Sequence, residues 1–205
     1  MHAGEVIGEL AFLDNTPRCA DVIACKDSTV LAIPNKAALK LFLENPVIED
    51  ALRKSATSRR IQMDLKCNLH LNKLPKEVQS LLSNSGRYVT YQPLQRIYRF
   101  GQPIPSIDLI IAGYVRHVGE LKDGSSVMLN SLKKGALLGC SAATPHMNKT
   151  YVADIVAIDE VTLIQFPLDY FKEIIKTNPR LSQAVLESAE SEQGDLLQTI
   201  TRSNT

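Results

Sequence analysis

The chain is poor in the features that mark several large classes of protein. It has no tryptophan, its aromatic content is 5%, and its 23 basic residues are nearly balanced by 22 acidic residues over a length of 205. The resulting net charge of +1 provides no overall attraction to nucleic acids or to a membrane surface. No apolar run approaches the roughly 20 residues that a membrane-spanning helix needs. No signal peptide is visible at the beginning either, so the sequence predicts a cytoplasmic protein.

Metal-binding and catalytic patterns are also missing from the sequence. The four cysteines, Cys19, Cys25, Cys67 and Cys140, include no C-x-x-C pair and have no histidine cluster nearby. This pattern argues against structural zinc and favours free thiols. The histidines stand apart from any Ser or Asp arrangement typical of a catalytic triad, and no P-loop, kinase signature or hydrolase elbow is present. We therefore expect no metal, no cofactor and no enzymatic activity, which leaves binding functions.

The sequence matches itself when it is shifted by 133 residues. The matching pairs are Ala20 with Ala153, Asp21 with Asp154, Ala24 with Ala157, Pro34 with Pro167, and Asn45-Pro46 with Asn178-Pro179. A period of this length is the size of a domain, so it indicates a tandem duplication rather than a solenoid. We expect a first domain over residues 1–68 and a second over residues 69–205.

Each repeat has the same order of predicted elements. Two short apolar stretches predict strands at residues 21–24 and 30–33 in the first repeat, and at 152–158 and 161–166 in the second. Helices follow at residues 37–43 and 170–176, and each ends before an Asn-Pro pair whose proline begins another helix. The second repeat also carries a predicted helix at 69–84 and strands at 88–91, 97–100, 109–118 and 127–132. This order predicts a mainly β fold with flanking helices, a jelly-roll-like β-barrel with helical ends.

The two repeats differ in the length of chain that precedes their shared part. The second repeat has 66 residues before Gly135, whereas the first has three before the matching Gly4. We therefore expect the first domain to lack most of its barrel strands, and the chain to be a fragment of a longer protein. An open half-barrel exposes unpaired strand edges and apolar faces.

Residues 7–20 carry the strongest chemical signal, reading Ile-Gly-Glu-Leu-Ala-Phe-Leu-Asp-Asn-Thr-Pro-Arg-Cys-Ala. Gly8 permits a positive φ ahead of a short predicted helix at residues 9–13, whose free amides favour an anion. Arg18 offers a guanidinium that can grip a phosphate with two hydrogen bonds. Glu9 can only accept hydrogen bonds, which suits a sugar hydroxyl. Together these groups suit a cyclic ribose phosphate.

This segment, which we call the first cassette, resembles the phosphate-binding cassette of cyclic nucleotide-binding domains. The resemblance implies that Glu9 holds the ribose 2′-hydroxyl and that Arg18 holds the cyclic phosphate. It also implies that backbone amides complete the site, those of Gly8, Leu10, Ala11, Cys19 and Ala20. Members that favour cyclic GMP tend to carry threonine where this chain has Cys19, so the ligand expected here is cyclic AMP, with cyclic GMP as the alternative.

The residue that would cap the base is left open by the sequence. Family members often use an aromatic residue from a following helix or domain. In the absence of tryptophan, the resemblance offers Tyr88, Tyr91 and Tyr98 as candidates, without a choice among them.

The corresponding segment of the second repeat, residues 139–151, departs from the pattern, and we call it the second cassette. Aligning Gly139 with Gly8 places Cys140 at the glutamate position, followed by Ser141, and puts Tyr151 at the arginine position. Neither replacement does the lost job, because a thiol is a poor acceptor and Tyr151 carries no charge. Lys149 or His146 offers a cation, but only as a point charge. We expect a degenerate domain that docks on the first domain or on a partner.

Three basic residues, Lys54, Arg59 and Arg60, lie on the predicted helix that leaves the first repeat. A solvated helix face is the expected role for them, rather than a nucleic-acid contact.

The leading hypothesis is a regulatory module that couples cyclic nucleotide binding to helix movement and to control of a protein effector. That effector is a kinase catalytic subunit or a fused output domain, and we expect no DNA-binding domain and no membrane segment in this chain. The alternatives are a ligand-free interaction scaffold and the sensing fragment of a larger enzyme, channel or transporter.

Overall fold

The computed structural model describes residues 4–18, 20–68, 71–120 and 124–203. Its contacts divide the chain into two compact units, Met1–Arg60 and Ile61–Thr205, which we call unit 1 and unit 2. The division falls inside the helix Pro46–Cys67 rather than in a loop. All strands of the described residues belong to unit 2.

Unit 1 is built around helices. They are α1 (Glu9–Asp14), α2 (Asn35–Glu44) and α3 (Pro46–Cys67), which confirms the three helices predicted for this part of the sequence. α2 ends at Glu44 because a residue that precedes proline disfavours the helical region, and Pro46 then fits the first turn of α3. The ring of Phe12 in α1 packs edge-on against Phe42 in α2, with 5.7 Å between the ring centroids.

Residues 21–34 form no strand, so the two strands predicted in the first repeat are wrong. Their apolar side chains are open to solvent: Leu31 is 88% exposed and Ile23 is 82% exposed. A strand needs a neighbour that exchanges backbone hydrogen bonds with it, and no described residue of unit 1 forms one. An apolar, β-branched sequence is therefore insufficient to make a strand at this place.

Unit 2 consists of two four-stranded antiparallel sheets with helices around them, which confirms the predicted fold class. The strands are β1 (Arg87–Tyr91), β2 (Arg96–Tyr98), β3 (Ser106–Ala112), β4 (Tyr114–Glu120), β5 (Ser126–Lys133), β6 (Leu137–Leu138), β7 (Asp154–Ala157) and β8 (Val161–Pro167). Their orders are β1-β8-β3-β6 and β2-β7-β4-β5. The stretch predicted as one strand at 109–118 is two strands, because Gly113 adopts a φ of 80° and turns the chain.

One core lies between the two sheets of unit 2. Successive side chains of a strand point to opposite faces, so Leu163 of β8 faces this core while Ile164 faces away from it. Residues from both sheets are fully buried here. They include Ile110, Val161 and Leu163 from the first sheet, and Val115, Ile155 and Ala157 from the second.

The other face of the first sheet is covered by helices. These are α4 (Lys76–Ser85), α5 (Leu168–Lys176) and α6 (Pro179–Ser203). Phe166 of β8 packs against Phe171 of α5, with ring centroids 5.7 Å apart, and both side chains are fully buried. Each such side chain contributes about 1.5–3 kcal/mol to stability through burial.

The helix predicted at 69–84 is corrected by the structure. Within the described residues this segment is a short 3₁₀ helix, Leu71–Lys73, followed by α4. Pro75 separates the two because it keeps the preceding residue out of the helical region and itself stands before the first turn of α4.

Candidate functional site

The first cassette begins at a glycine in the left-handed region. Gly8 has a φ of 86° and caps the N-terminus of α1, where its carbonyl accepts the amide hydrogen bond of Phe12 at 3.1 Å. Residues with a side chain rarely adopt this φ, so a glycine is required here. The short helix closes at Asn15, which is also left-handed.

Arg18 returns to the same glycine from the other side of the cassette. A Cβ atom built on Gly8 would lie 2.8 Å from Nη1 and 3.1 Å from Cζ of Arg18. The guanidinium therefore packs directly on the glycine, one residue before Glu9. Arg18 also lines an open cleft of about 530 Å³ together with Ala20, Asp21 and Val22. This volume lies within the range of about 300–1,000 Å³ that small-molecule sites occupy.

Glu9 is buried and already paired with a cation. Its side chain is 4% exposed, and its Oε1 atom lies 2.8 Å from Nη1 of Arg59 in α3. The same nitrogen of Arg59 donates to the carbonyl of Val6 at 2.5 Å. Arg59 thus fixes the carboxylate of Glu9 and the backbone that leads into the cassette.

Arg60 makes a second link between α3 and the cassette helix. Its guanidinium pairs with the carboxylate of Asp14, the last residue of α1. The expected solvated face is therefore correct for Lys54, which is exposed, and wrong for Arg59 and Arg60. Because these pairs join residues about fifty positions apart, only the folded chain reveals them.

The remaining first-cassette residues contribute backbone rather than side-chain chemistry. Leu10 and Ala11 are half-buried in α1, and Ala20 is exposed. Cys19 lies outside the described residues.

The second cassette repeats the glycine geometry of the first. Gly139 has a φ of 76° and caps a short 3₁₀ helix, Cys140–Ala143. A Cβ atom on Gly139 would lie 3.5 Å from the hydroxyl of Tyr151, so Tyr151 reaches this glycine as Arg18 reaches Gly8. The ring of Tyr151 is stacked on Tyr98, with centroids 4.3 Å apart and 15° between the ring planes.

The other polar groups of the second cassette are engaged in the fold. Lys149 donates to the carbonyls of Ser141, Ala142 and Thr144 at 3.3, 3.3 and 2.6 Å, so this cation stabilises the end of the 3₁₀ helix. Cys140 is fully buried, and burial raises the pKa of its thiol well above the ordinary value, so it stays neutral. Ser141 is buried as well, and His146 is exposed.

A buried hydrogen-bond network anchors Tyr98. Its hydroxyl donates to Oδ2 of Asp108 at 2.5 Å and accepts from Gln165 at 2.8 Å, while Ser106 donates to Oδ1 of Asp108 at 2.6 Å. Burial raises the pKa values of Asp108, Tyr98 and Tyr151. The other two capping candidates also lie in unit 2: Tyr88 donates to Asp64, and the Tyr91 hydroxyl accepts from Gln165.

The described residues offer no alternative centre of metal or membrane chemistry. Among them, no group of three potential metal ligands occurs. None of the helices in this part of the chain combines the length and apolar character needed to cross a bilayer.

The model of the cyclic nucleotide-binding domain matches residues 1–45 and 88–178 of this chain. Together these stretches exceed half of the sequence. The chain belongs to the cyclic nucleotide-binding domain family. The first stretch contains the first cassette, and the second contains the second cassette, so both glycine turns lie within regions that the domain family covers.

Solved structures with the cyclic nucleotide-binding fold resemble the chain at low sequence identity. A regulatory subunit of a cAMP-independent protein kinase A from Trypanosoma brucei is 19% identical with a TM-score of 0.60, covering 73% of this chain and 53% of that one. A mutant of that subunit bound to cAMP in its A site is 20% identical with a TM-score of 0.59, covering 98% and 72%. The sensor domain of the transcriptional regulator DNR from Pseudomonas aeruginosa is 18% identical with a TM-score of 0.57, covering 69% and 93%.

These identities show the shared fold alone. The chain spans about half the length of the first of these structures, 53%. Comparison with curated protein sequences gives no match.

The residue that sequence reasoning missed is Arg59, although the repeat contained a signal for it. The offset of 133 residues places Glu192 of α6 at the position of Arg59 in α3. Glu192 pairs with His117 of β4 at 3.1 Å and lines a small cavity beside the second cassette. The same position of the helix thus makes a charged contact within its own unit in both cases.

Proposed function

We propose that this chain is a regulatory module in which the first cassette binds a cyclic nucleotide, with cAMP as the ligand. The observation that carries the proposal is the packing of the Arg18 guanidinium on Gly8, beside buried Glu9 and at an open cleft. A guanidinium presents two parallel donors to a phosphate, and each charge-assisted hydrogen bond contributes about 1.5–3 kcal/mol. Family membership supplies the ligand class, because this geometry suits its cyclic phosphate.

Glu9 is assigned to the ribose. Its Oε1 atom is paired with Arg59, so we assign Oε2 as the acceptor for the ribose 2′-hydroxyl. Arg59 acts as a positioning residue, since it holds the carboxylate in place before the ligand arrives. The backbone amides of Gly8, Leu10 and Ala11, with those at Cys19 and Ala20, complete the proposed cradle.

Helix α3 is the element that would carry the signal away from the cassette. Arg59 holds the start of α1 at Glu9, and Arg60 holds its end at Asp14. A ligand that pulls α1 toward its phosphate would therefore pull on α3, and would shift the balance between states that differ in affinity for a partner. The proposed partner is a protein effector, a kinase catalytic subunit or a fused output domain.

The second cassette belongs to a different part of the proposal. We assign residues 1–68 to a first, incomplete cyclic nucleotide-binding domain and residues 69–205 to a second, degenerate one. The matched stretches on both sides of residues 46–87 and the similar turns at Gly8 and Gly139 support this assignment.

A second candidate function is an interaction scaffold that needs no cyclic nucleotide. The observation in its favour is that one structural neighbour is a regulatory subunit of a protein kinase A described as cAMP-independent. The intact pair of Glu9 and Arg18 favours the first candidate.

Titration of the 205-residue chain with a fluorescent cAMP analogue tests the proposal. Arg18→Ala should weaken binding at least about 10–100-fold, the equivalent of about 1.4–3 kcal/mol. Arg53→Ala is the matched control, because it removes the same charge from an arginine of α3 that pairs only with the helix neighbour Glu49 in the described contacts. Unlabelled cAMP and cGMP as competitors decide the choice of ligand. Equal affinities of the wild-type and Arg18→Ala chains would contradict the proposal, and the absence of binding to both would favour the scaffold.

A further inference from the structure

The two cassettes place different side chains over the same kind of glycine. Both glycines are left-handed and both cap a short helical turn, with φ values of 86° at Gly8 and 76° at Gly139. The guanidinium of Arg18 lies over the first, and the hydroxyl of Tyr151 lies over the second. The position that holds an anion-binding fork in one cassette therefore holds a neutral phenol in the other.

Tyr151 is held firmly in this position. It is 4% exposed, and its ring is stacked on Tyr98, itself 5% exposed. Tyr98 is anchored in turn by Asp108 and Gln165 inside the core of unit 2. Moving Tyr151 outward would break an aromatic stack, worth about 0.5–1.5 kcal/mol beyond its burial, and would open a void in that core.

Almost no empty space is left beside Tyr151. The adjoining cavity measures about 10 Å³ and is lined by Ile104, His117, Gly139, Ser141, Thr150, Tyr151, Val152 and Glu192. A single water molecule needs roughly 10–15 Å³ by the same kind of measure, so a nucleotide has no room. The first cassette, by comparison, opens on about 530 Å³.

Helix α6 closes the cavity from one side. Its Glu192 lies 3.1 Å from Nε2 of His117 on β4, and the two side chains are 10% and 2% exposed. This pair is internal to unit 2, so it attaches α6 to the sheet without any ligand.

We propose that Tyr151 is the specificity-determining residue of the second cassette: it permanently occupies the phosphate position, so that unit 2 binds no cyclic nucleotide and keeps α6 closed in its absence. This inference concerns a different cassette from the proposed function and does not depend on it. The ligand class that it excludes is any molecule that must place a phosphate over Gly139.

Tyrosine nitration combined with binding stoichiometry tests the inference on the full chain. Tetranitromethane modification is mapped residue by residue with no nucleotide, with millimolar cAMP and with millimolar cGMP, and calorimetry counts the bound nucleotides. Tyr114 and Tyr170 are 50% and 41% exposed and serve as internal controls for the reagent. Tyr98 and Tyr151 should react at least about tenfold more slowly than these controls, with the same protection in all three samples.

Two variants separate the ring of Tyr151 from its hydroxyl. Tyr151→Phe keeps the ring, so Tyr98 should stay protected and the stoichiometry should not rise. Tyr151→Ala removes the stack, so nitration of Tyr98 should increase toward that of Tyr114. Continued protection of Tyr98 in a folded Tyr151→Ala chain would mean that another group fills the site, and the assignment would be wrong.

The outcomes separate this inference from the proposed function. At most one nucleotide per chain, with Tyr151 protected throughout, supports the inference. A nucleotide-dependent increase in nitration of Tyr151, or two bound nucleotides per chain, overturns it, because Tyr151 would then be a displaceable gate. No binding at all, with Tyr151 protected, would contradict the function proposed for Arg18 and still support the assignment of Tyr151.

Discussion

Residues 20–34 and residues 153–167 have related sequences and different structures. In the second segment β7 and β8 lie between neighbouring strands, and Leu163 and Ile164 are fully buried. At the matching positions of the first segment, Val30 and Leu31 are 72% and 88% exposed, and no strand forms. The sequence pattern decides which side chains suit a core, but strand formation depends on the presence of strands to pair with.

The cassettes show the opposite relation. Their local backbone is alike, since Gly8 and Gly139 both begin a short helical turn with a left-handed φ. Their chemistry differs because one side chain differs: Arg18 leaves an open, cationic cleft, whereas Tyr151 fills its own. A conserved turn can therefore be present without the site that it would support.

The largest expected effect comes from removing the same kind of side chain at matching positions of the two segments. Ile164→Ala should destabilise unit 2 by about 2–5 kcal/mol, because a fully buried aliphatic side chain leaves a cavity. Leu31→Ala should change stability by no more than about 0.5 kcal/mol, because its side chain is already in water. Urea unfolding followed by circular dichroism measures both changes.

A large loss of stability in Leu31→Ala would break this comparison. It would mean that residues 28–34 are covered in solution, and the exposed state of the first segment would have to be abandoned. Val30→Ala, at the neighbouring exposed position, is the control for a local effect of residue 31 alone.

A smaller difference is expected between alanine substitutions at the two cassette glycines. Gly139→Ala combines left-handed strain with contacts of 2.8 Å to Ile104 Cγ2 and the carbonyl of Ser106, so it should cost about 2–4 kcal/mol. Gly8→Ala meets the end of a flexible arginine instead, so the cost should be limited to the strain, about 1–2 kcal/mol. Thermal unfolding measures the two costs.

Nucleotide binding should distinguish the same two variants in the reverse direction. Gly8→Ala displaces Arg18 from its packing position and should weaken binding of the fluorescent cAMP analogue. A folded Gly139→Ala chain should bind that analogue as the wild type does. Weakened binding in Gly139→Ala alone would place the ligand in the second cassette instead of the first.

Local signals accounted for much of the fold. Gly8 and the residues after it predicted α1, and the two Asn-Pro pairs predicted where α2 and α5 end. Such features depend on the chain within a few residues, so sequence reasoning reaches them. The break of the 69–84 helix at Pro75 was equally readable from a local rule and was missed.

Features that depend on distant parts of the chain were beyond local reasoning. The state of residues 21–34 is set by the absence of pairing partners among the described residues, which no pattern inside the segment reveals. The pairs of Arg59 with Glu9 and of Arg60 with Asp14 depend on how α3 packs beside α1. The repeat aligned Tyr151 with Arg18, but only the coordinates reveal the stack on Tyr98 and the closed cavity.

The smallest expected effect comes from comparing the two buried carboxylates, one in each unit. Glu9 has a cation beside it, Arg59, whereas Asp108 is surrounded mainly by neutral donors from Tyr98, Ser106 and Gln165. Burial raises the pKa of Asp108, so between the unfolded value near about 4 and the raised value the folded chain holds more protons than the unfolded one. Stability from this group is therefore greatest at low pH and falls as pH rises through that interval, by about 1.4 kcal/mol per unit of pKa difference.

Asp108→Asn should remove this fall, because an amide keeps the shape of the carboxyl group but does not ionise. Urea unfolding of both chains from pH 4 to pH 8 gives the difference in free energy of unfolding, which should shift in favour of the variant as pH rises. Asp50→Asn, on the exposed side of α3, controls for the change in net charge. A difference independent of pH would mean that Asp108 ionises equally easily in the folded and unfolded chains. The neutral donors around it would then stabilise a buried carboxylate as well as water does, and the contrast with the cation-paired Glu9 would disappear.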